Sequence, residues 1–252
     1  MVLLDDRPDL HVLALRRTDA STFVAGHTLV PGGAVDDGDR DPRWAALATG
    51  GAGGLPGMDD PRSYGVAALR ETIEEVGLTV GVDDPEVADG LVARRRDLES
   101  GAVSLADLVE AAGARVDLSA VRPVARWVTP MPSVKRYDTA FFVARAPAGA
   151  DPVVDGREAV HAEWVRPADA LARWAAGELT MISPTIAMFQ LLATHRSVDE
   201  VLEAAAGETP VRHVRVLDEA ADLVRFAGDR GYDAPGTRSV LGWVWLPTGP
   251  LA

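Results

Sequence analysis

Nine residues in the first third of the chain decide its fold and its chemistry: Arg70-Glu71-Thr72-Ile73-Glu74-Glu75-Val76-Gly77-Leu78. A helix is predicted to run through them, because apolar residues recur at helical spacing and Gly77 is suited to end it. The spacing i, i+3 and i+4 places the carboxylates of Glu71, Glu74 and Glu75 on one face of that helix. The chemistry of this face is the first question that the sequence poses.

Carboxylates that share a helix face repel one another. Two of them roughly 5 Å apart repel by about 3 kcal/mol at an effective dielectric constant near ~20. One explanation is a fully hydrated surface face, where solvent screens the repulsion. The other is a bound cation, because Mg²⁺ and Mn²⁺ prefer oxygen ligands and are often shared between carboxylates and substrate phosphates.

The residues before this helix read as two strands and an insertion. Apolar runs at 10–15 and 28–30 predict buried strands, and Pro31-Gly32-Gly33 stops the second one. Residues 40–62 are predicted to form an inserted excursion, and the glycines between Gly50 and Gly57 indicate a flexible loop within it.

Together these motifs resemble the Nudix box, which reads Gly, five residues, Glu, seven residues, then Arg-Glu-aliphatic-X-Glu-Glu-X-Gly-aliphatic. The second half matches residues 70–78, with Thr72 in place of an aliphatic residue. In the first half, Gly33 and Asp39 have the five-residue spacing, but Asp replaces Glu. Thirty residues, not seven, separate Asp39 from Arg70. Such a split box resembles the Nudix branch that includes the peroxisomal-type coenzyme A diphosphatases.

The resemblance implies an α/β fold, the Nudix α/β/α sandwich with a mixed sheet. We expect one Nudix domain over residues 1–206, with the insertion at about 40–62 and an extra helical segment at about 86–112. Residues 207–252 are expected to be a C-terminal extension packed on the same domain. Apolar runs within them predict that they extend the sheet or form a homodimer contact.

The resemblance also implies a reaction: hydrolysis of a pyrophosphate bond in a small nucleoside-diphosphate-linked substrate, with Mg²⁺ or Mn²⁺ as cofactor. Coenzyme A or acyl-coenzyme A is the favoured substrate, and ADP-ribose, nucleotide sugars or dinucleotides are the alternatives. An alternative from another class is a Nudix-like module that binds or senses a nucleotide without cleaving it. The implied site residues are the metal ligands Glu71, Glu75 and Glu74, the catalytic residues Glu74, Glu75 and Arg70, the substrate-binding residues Gly33 and Arg136, and Asp39 in the outer shell.

The general base stays open at this stage, because this family recruits it from different places. Four acidic residues are candidates: Glu74, Asp155, Glu158 and Glu163.

Charge and composition exclude several other functions. The chain of 252 residues has 38 acidic and 25 basic residues, a formal net charge of −13, which argues against nucleic-acid and anionic-membrane partners. No cysteine is present, so thiolate and disulfide chemistry is excluded. We expect a cytoplasmic, bacterial protein, because no signal segment or long apolar stretch is visible and nearly every basic residue is arginine. The cluster Arg94-Arg95-Arg96 is predicted to lie on a solvated helix face.

Overall fold

The computed structural model describes residues 1–21, 24–51, 53, 59–129, 136–206, 212–217, 224–226, 228–233 and 237–244. The strands are β1 (Val2–Asp6), β2 (Leu10–Arg17), β3 (Thr28–Leu29), β4 (Ala48–Thr49), β5 (Val116–Asp117), β6 (Arg122–Val128), β7 (Asp138–Arg145), β8 (Ala159–Val165), β9 (Arg212–Leu217), β10 (Val224–Phe226) and β11 (Thr237–Val244). The helices are α1 (Trp44–Leu47), α2 (Pro61–Val76), α3 (Pro85–Ala93), α4 (Arg95–Glu99), α5 (Leu105–Ala111), α6 (Pro167–Ala175), α7 (Ser183–Leu192) and α8 (Val198–Ala206). Short 3₁₀ helices span Asp37–Arg40 and Leu118–Ala120.

The main sheet is mixed. Its strand order is β10-β9-β11-β6-β7-β1-β2-β3, and β8 pairs with β2. The pairing of β1 with β7 is parallel, whereas the other pairings within this sheet are antiparallel. The C-terminal strands join the sheet through the pairing of β11 with β6. A separate parallel pair joins β4, in the insertion, to β5, which follows α5.

Helices cover both faces of the main sheet, because its central strands are apolar on both sides. On β1, Leu3 packs toward the core that contains α2, whereas Val2 and Leu4 pack toward the core that contains α7 and α8. On β7, Phe142 belongs to the first core and Val143 to the second. The predicted α/β/α sandwich with a mixed sheet is therefore confirmed.

The insertion is more ordered than the sequence suggested. Trp44 of α1 is only 1% exposed and belongs to the same core as α2 and the sheet. Its indole N–H donates to the carbonyl of Gly38 at 2.9 Å. The predicted flexibility concerned only the glycine loop, and the residues around Trp44 instead form part of the core. Most of the predicted glycine loop, residues 52 and 54–58, lies outside the described residues.

The extra helical segment at 86–112 consists of three helices, α3, α4 and α5. The side chains of Asp84 and Ser104 cap the starts of α3 and α5, which explains the interruptions. Two further helices follow β8 and α6: α7 ends at Leu192, and Ser197 accepts a hydrogen bond from Glu200 N at the start of α8. No helix in the described part of the chain is long and apolar enough to span a bilayer.

The prediction of a solvated Arg94–Arg96 cluster was wrong for Arg95. Arg94 is half exposed and pairs with Asp97, as a solvated face requires. The Arg95 side chain, in contrast, is only 13% exposed and hydrogen-bonds to the main chain of α2. Sequence spacing could not reveal this contact, since the two segments meet only in the folded structure.

Candidate active site

Helix α2 carries the three predicted glutamates, and both of its ends are fixed by local hydrogen bonds. Asp60 accepts a hydrogen bond from Ser63 N at the first turn, where Pro61 also lies. Gly77 ends the helix with a left-handed φ of 65°, and its N–H donates to Ile73 O at 2.9 Å. The buried residues Val66, Leu69, Ile73 and Val76 fix the rotation of the helix about its axis.

A buried ion pair joins the two halves of the split box. Arg70 donates from Nη2 to Asp39 at 3.0 Å and from Nε to the other Asp39 oxygen at 3.1 Å. The side chains are 9% and 1% exposed, respectively. Arg70 also donates to Ala34 O, Glu71 and Glu74, each at 2.8 Å. The 3₁₀ helix with Asp39 thus lies directly beside α2, although 30 residues separate them in the sequence.

Glu75 is the most enclosed of the three glutamates. It is 8% exposed, and its Oε2 accepts a hydrogen bond from Gly32 N–H at 2.8 Å. Burial raises the pKa of Glu75 to about 8 against the effect of the Gly32 hydrogen bond, and the charge of Glu71 adds to the rise. The Gly32 hydrogen bond and the positive charge of the Met1 ammonium together do not offset this burial.

Burial acts on Glu74 and Glu71 in the same direction. Burial raises the pKa of Glu74 to about 7, although Arg70 opposes the rise. Burial also raises the pKa of Glu71, again against the charge and hydrogen bond of Arg70. A cation bound among these glutamates would remove this penalty.

Gly33 lies directly against Glu71. A Cβ atom at position 33 would come within 2.4 Å of Glu71 Oε1 and 2.6 Å of Oε2. Only glycine therefore leaves space for this carboxylate, which agrees with the glycine that the split box places there.

We expect Gly33→Ala to lower kcat by about 10-fold, because the new methyl group displaces the Glu71 carboxylate and such disturbances near a metal ligand cost activity. Steady-state kinetics with Mg²⁺ measure the effect. Gly90→Ala is the matched control, since a Cβ at that helical position meets no atom within 4 Å. Wild-type kcat in Gly33→Ala would show that Glu71 is not needed where the structure places it.

A cavity of about 950 Å³ opens beside α2, within the range of small-molecule sites. Its polar and aromatic lining includes Arg17, Arg40, Tyr64, Glu71, Trp127, Arg136, Tyr137, Asp138 and Glu158. Gly32 and Gly33 also line it. Of the three helix glutamates, Glu71 lines the cavity, while Glu74 and Glu75 lie beside it in the hydrogen-bond network.

The four candidate bases occupy different places. Glu158 lines the cavity together with Glu71. Asp155 instead accepts hydrogen bonds from the N–H groups of Glu158 and Ala159, both at 3.0 Å, and so holds the turn before β8. Glu163 pairs with Arg173 of α6 at 2.9 Å. Glu74 is held by Arg70.

The sequence-predicted Arg136 lines the cavity, where its Nε donates to Thr129 O at 2.8 Å. Two further arginines at the cavity were not singled out from the sequence. Arg17 contacts Glu158 at 3.4 Å, and Arg40 is an exposed residue at the end of the 3₁₀ helix. The one sequence signal for Arg40 was that it directly follows Asp39 of the split box.

The donors fit a hard divalent cation. In the part of the chain that the structure describes, no three Asp, Glu or His side chains already stand as a complete ligand set. Mg²⁺ does not require one, because it commonly keeps several waters and binds through one or two carboxylates plus substrate phosphates. Glu71 and Glu75 are largely buried carboxylates with raised pKa values, and the absence of a side chain at Gly33 leaves room for the Glu71 carboxylate.

The chain is similar to known proteins. The family model of the NUDT19 Nudix domain matches residues 55–192, more than half of the chain. The chain is also similar to a solved structure, the crystal structure of a NUDIX hydrolase from Alicyclobacillus acidocaldarius. The two are 30% identical with a TM-score of 0.66, and the match covers 80% of this chain and 92% of that one. The comparison with curated proteins found no match.

Proposed function

This chain belongs to the Nudix hydrolases, and from that membership we propose that its substrate is coenzyme A or an acyl-coenzyme A. The family hydrolyses pyrophosphate bonds in small molecules, and the chain is a hydrolase of this type. The observation that carries the finer proposal is the split box, whose second half, residues 70–78, lies within the match to the NUDT19 Nudix domain, a coenzyme A diphosphatase-like branch.

Glu71 and Glu75 are proposed to hold Mg²⁺ or Mn²⁺. Nudix hydrolases generally use divalent metals, and the burial that raises the pKa values of these two carboxylates supports a cation here. When bound, such an ion neutralises the pyrophosphate and lowers the pKa of a coordinated water. Arg70 orients Glu71 and Glu74 through its two 2.8 Å hydrogen bonds. Asp39 in turn accepts a hydrogen bond from Arg70 and holds its guanidinium in place.

Glu158 is proposed as the general base that accepts the proton of the attacking water. Among the four candidates it combines a place at the cavity with an exposed side chain. Asp155 and Glu163 are occupied by structural contacts elsewhere, and Glu74 is bound to Arg70. A base has to reach the reacting water, and this requirement favours Glu158.

Arg40 and Arg136 are proposed to bind the anionic substrate. Among the described residues, neither guanidinium forms an ion pair with a carboxylate, although both line the cavity of a chain with a net charge of −13. Arginine suits phosphate oxygens because it can donate two parallel hydrogen bonds.

Product analysis by mass spectrometry tests the substrate. We expect coenzyme A and Mg²⁺ to yield phosphopantetheine and adenosine 3′,5′-bisphosphate with the wild-type protein. The Glu75→Gln variant, prepared in parallel, controls for a contaminating hydrolase and should leave coenzyme A intact. Cleavage of ADP-ribose, a nucleotide sugar or a dinucleotide, with coenzyme A left intact, would show that coenzyme A is not the substrate. Pyrophosphate hydrolysis would still be the reaction.

A further inference from the structure

The C-terminal end of α2 is an unfavourable place for negative charge. The carbonyl end of a helix carries a partial negative charge, and its last four C=O groups lack partners within the helix. Glu74 and Glu75 both lie in this last turn, and the turn contains no basic residue of its own. A helix end of this composition needs donors from elsewhere in the chain to stay ordered.

Donors from outside the helix bind this last turn. Gly77 N–H closes onto Ile73 O at 2.9 Å. Val153 N–H, from the segment before β8, donates to Val76 O at 2.9 Å. The third donor is a side chain: Arg95 Nε, from α4, hydrogen-bonds to Glu74 O.

Arg95 makes more than one contact. Its Nη1 hydrogen-bonds to Val153 O, so the same guanidinium bridges the end of α2 and the segment that already binds Val76. Glu99 Oε1 accepts from Arg95 Nε at 3.0 Å and fixes the orientation of the side chain. The remaining Nη2 is buried without a partner in the described residues. Such a group costs about 1 to 3 kcal/mol, which the bridge has to offset.

We propose that Arg95 is a positioning residue for the metal-binding glutamates: by bridging Glu74 O and Val153 O it holds the last turn of α2 in the geometry that a divalent cation requires. This inference rests on the proposed metal site at Glu71 and Glu75. It also gives the extra helical segment a role, because α4 supplies the arginine. Arg95 itself touches neither the cation nor the substrate, since it acts through the main chain of α2 and does not line the cavity.

The sign of the expected effect separates positioning from simple electrostatics. Loss of a positive charge near a cation site would by itself tighten cation binding, because it removes a repulsion. Loss of a bridge that orders the ligands would weaken cation binding, since residues that orient metal ligands typically contribute about 10- to 100-fold to affinity. If Arg95 acts by positioning, its loss weakens cation binding. If it acted only through its charge, its loss would tighten cation binding.

The test measures Mn²⁺ binding to the full chain without substrate, by electron paramagnetic resonance of the free ion. We expect Arg95→Met to bind Mn²⁺ about 10-fold more weakly than wild type. Arg95→Lys should also bind more weakly, because one ammonium group keeps the charge but cannot span both carbonyls. Arg94→Met is the matched control and should bind as wild type, since Arg94 pairs with Asp97 at the surface.

Thermal unfolding of each variant shows whether it is folded. If Arg95→Met does not fold, Mn²⁺ binding by Arg95→Lys decides the question. Wild-type or tighter Mn²⁺ binding by a folded Arg95 variant would overturn the inference. Glu75→Gln distinguishes this result from failure of the proposed function. If wild type and Glu75→Gln bind Mn²⁺ equally, the metal site itself is wrong and the inference falls with it.

Discussion

Glu75→Gln is expected to lower kcat by at least about 100-fold, because the amide keeps the size of the side chain but removes the charge that would hold the divalent ion. The protein should fold normally. The glutamine carbonyl can still accept from Gly32 N–H, and a neutral group replaces a carboxylate whose charged form is disfavoured by burial. Steady-state kinetics with saturating Mg²⁺, together with thermal unfolding, measure both effects.

Glu203→Gln is a suitable control for this variant. Glu203 is an exposed residue of α8, outside the cavity lining, and the same chemical change there should leave kcat unaltered. Wild-type turnover in Glu75→Gln would remove the proposed metal ligation from the mechanism.

Glu158→Gln is expected to lower kcat by about 100-fold with little change in KM, because general-base catalysis contributes at the proton-transfer step more than to substrate binding. The measurement is kcat and KM with the cleaved substrate and Mg²⁺. Glutamine preserves the size of the side chain at the cavity, so loss of packing is not expected to contribute.

Glu163→Gln is the matched comparison for the base. It was an equal candidate by sequence, but its carboxylate pairs with Arg173 outside the cavity. We therefore expect its kcat to stay within about twofold of wild type, as is usual for a residue that does not contact the reacting groups. A large loss of kcat in Glu163→Gln, with wild-type kcat in Glu158→Gln, would show that Glu158 is not the base and favour Glu163.

The parts of the fold that follow local rules could be predicted from the sequence. Helix α2 ends at Gly77 as expected, because a left-handed glycine cap depends on residues close in the chain. The sandwich and the mixed sheet were predicted from the resemblance of the α2 residues to the Nudix box, and the described fold confirms both.

The contacts between distant segments could not be predicted in the same way. Asp155, Glu158 and Glu163 lie within nine residues, and their spacing does not tell which carboxylate meets the cavity. Only the folded structure distinguishes the three: Asp155 holds a turn through hydrogen bonds, and Glu163 forms an ion pair with Arg173. Arg95 was misjudged for a related reason: its partners are main-chain carbonyls of Glu74 and Val153, which leave no pattern of side-chain types.

The insertion and the extra helices share one packing arrangement. Trp44 and Leu47 lie in the same core as Leu105 and Val109 of α5, and β4 pairs with β5. Arg43, just before α1, pairs with Asp107 and Glu110 at 2.8 and 2.7 Å. Deleting the insertion to restore an unbroken box would therefore strip α5 of its apolar partners. We expect the two additions to have been acquired together, so that homologues with a short box also lack the helices.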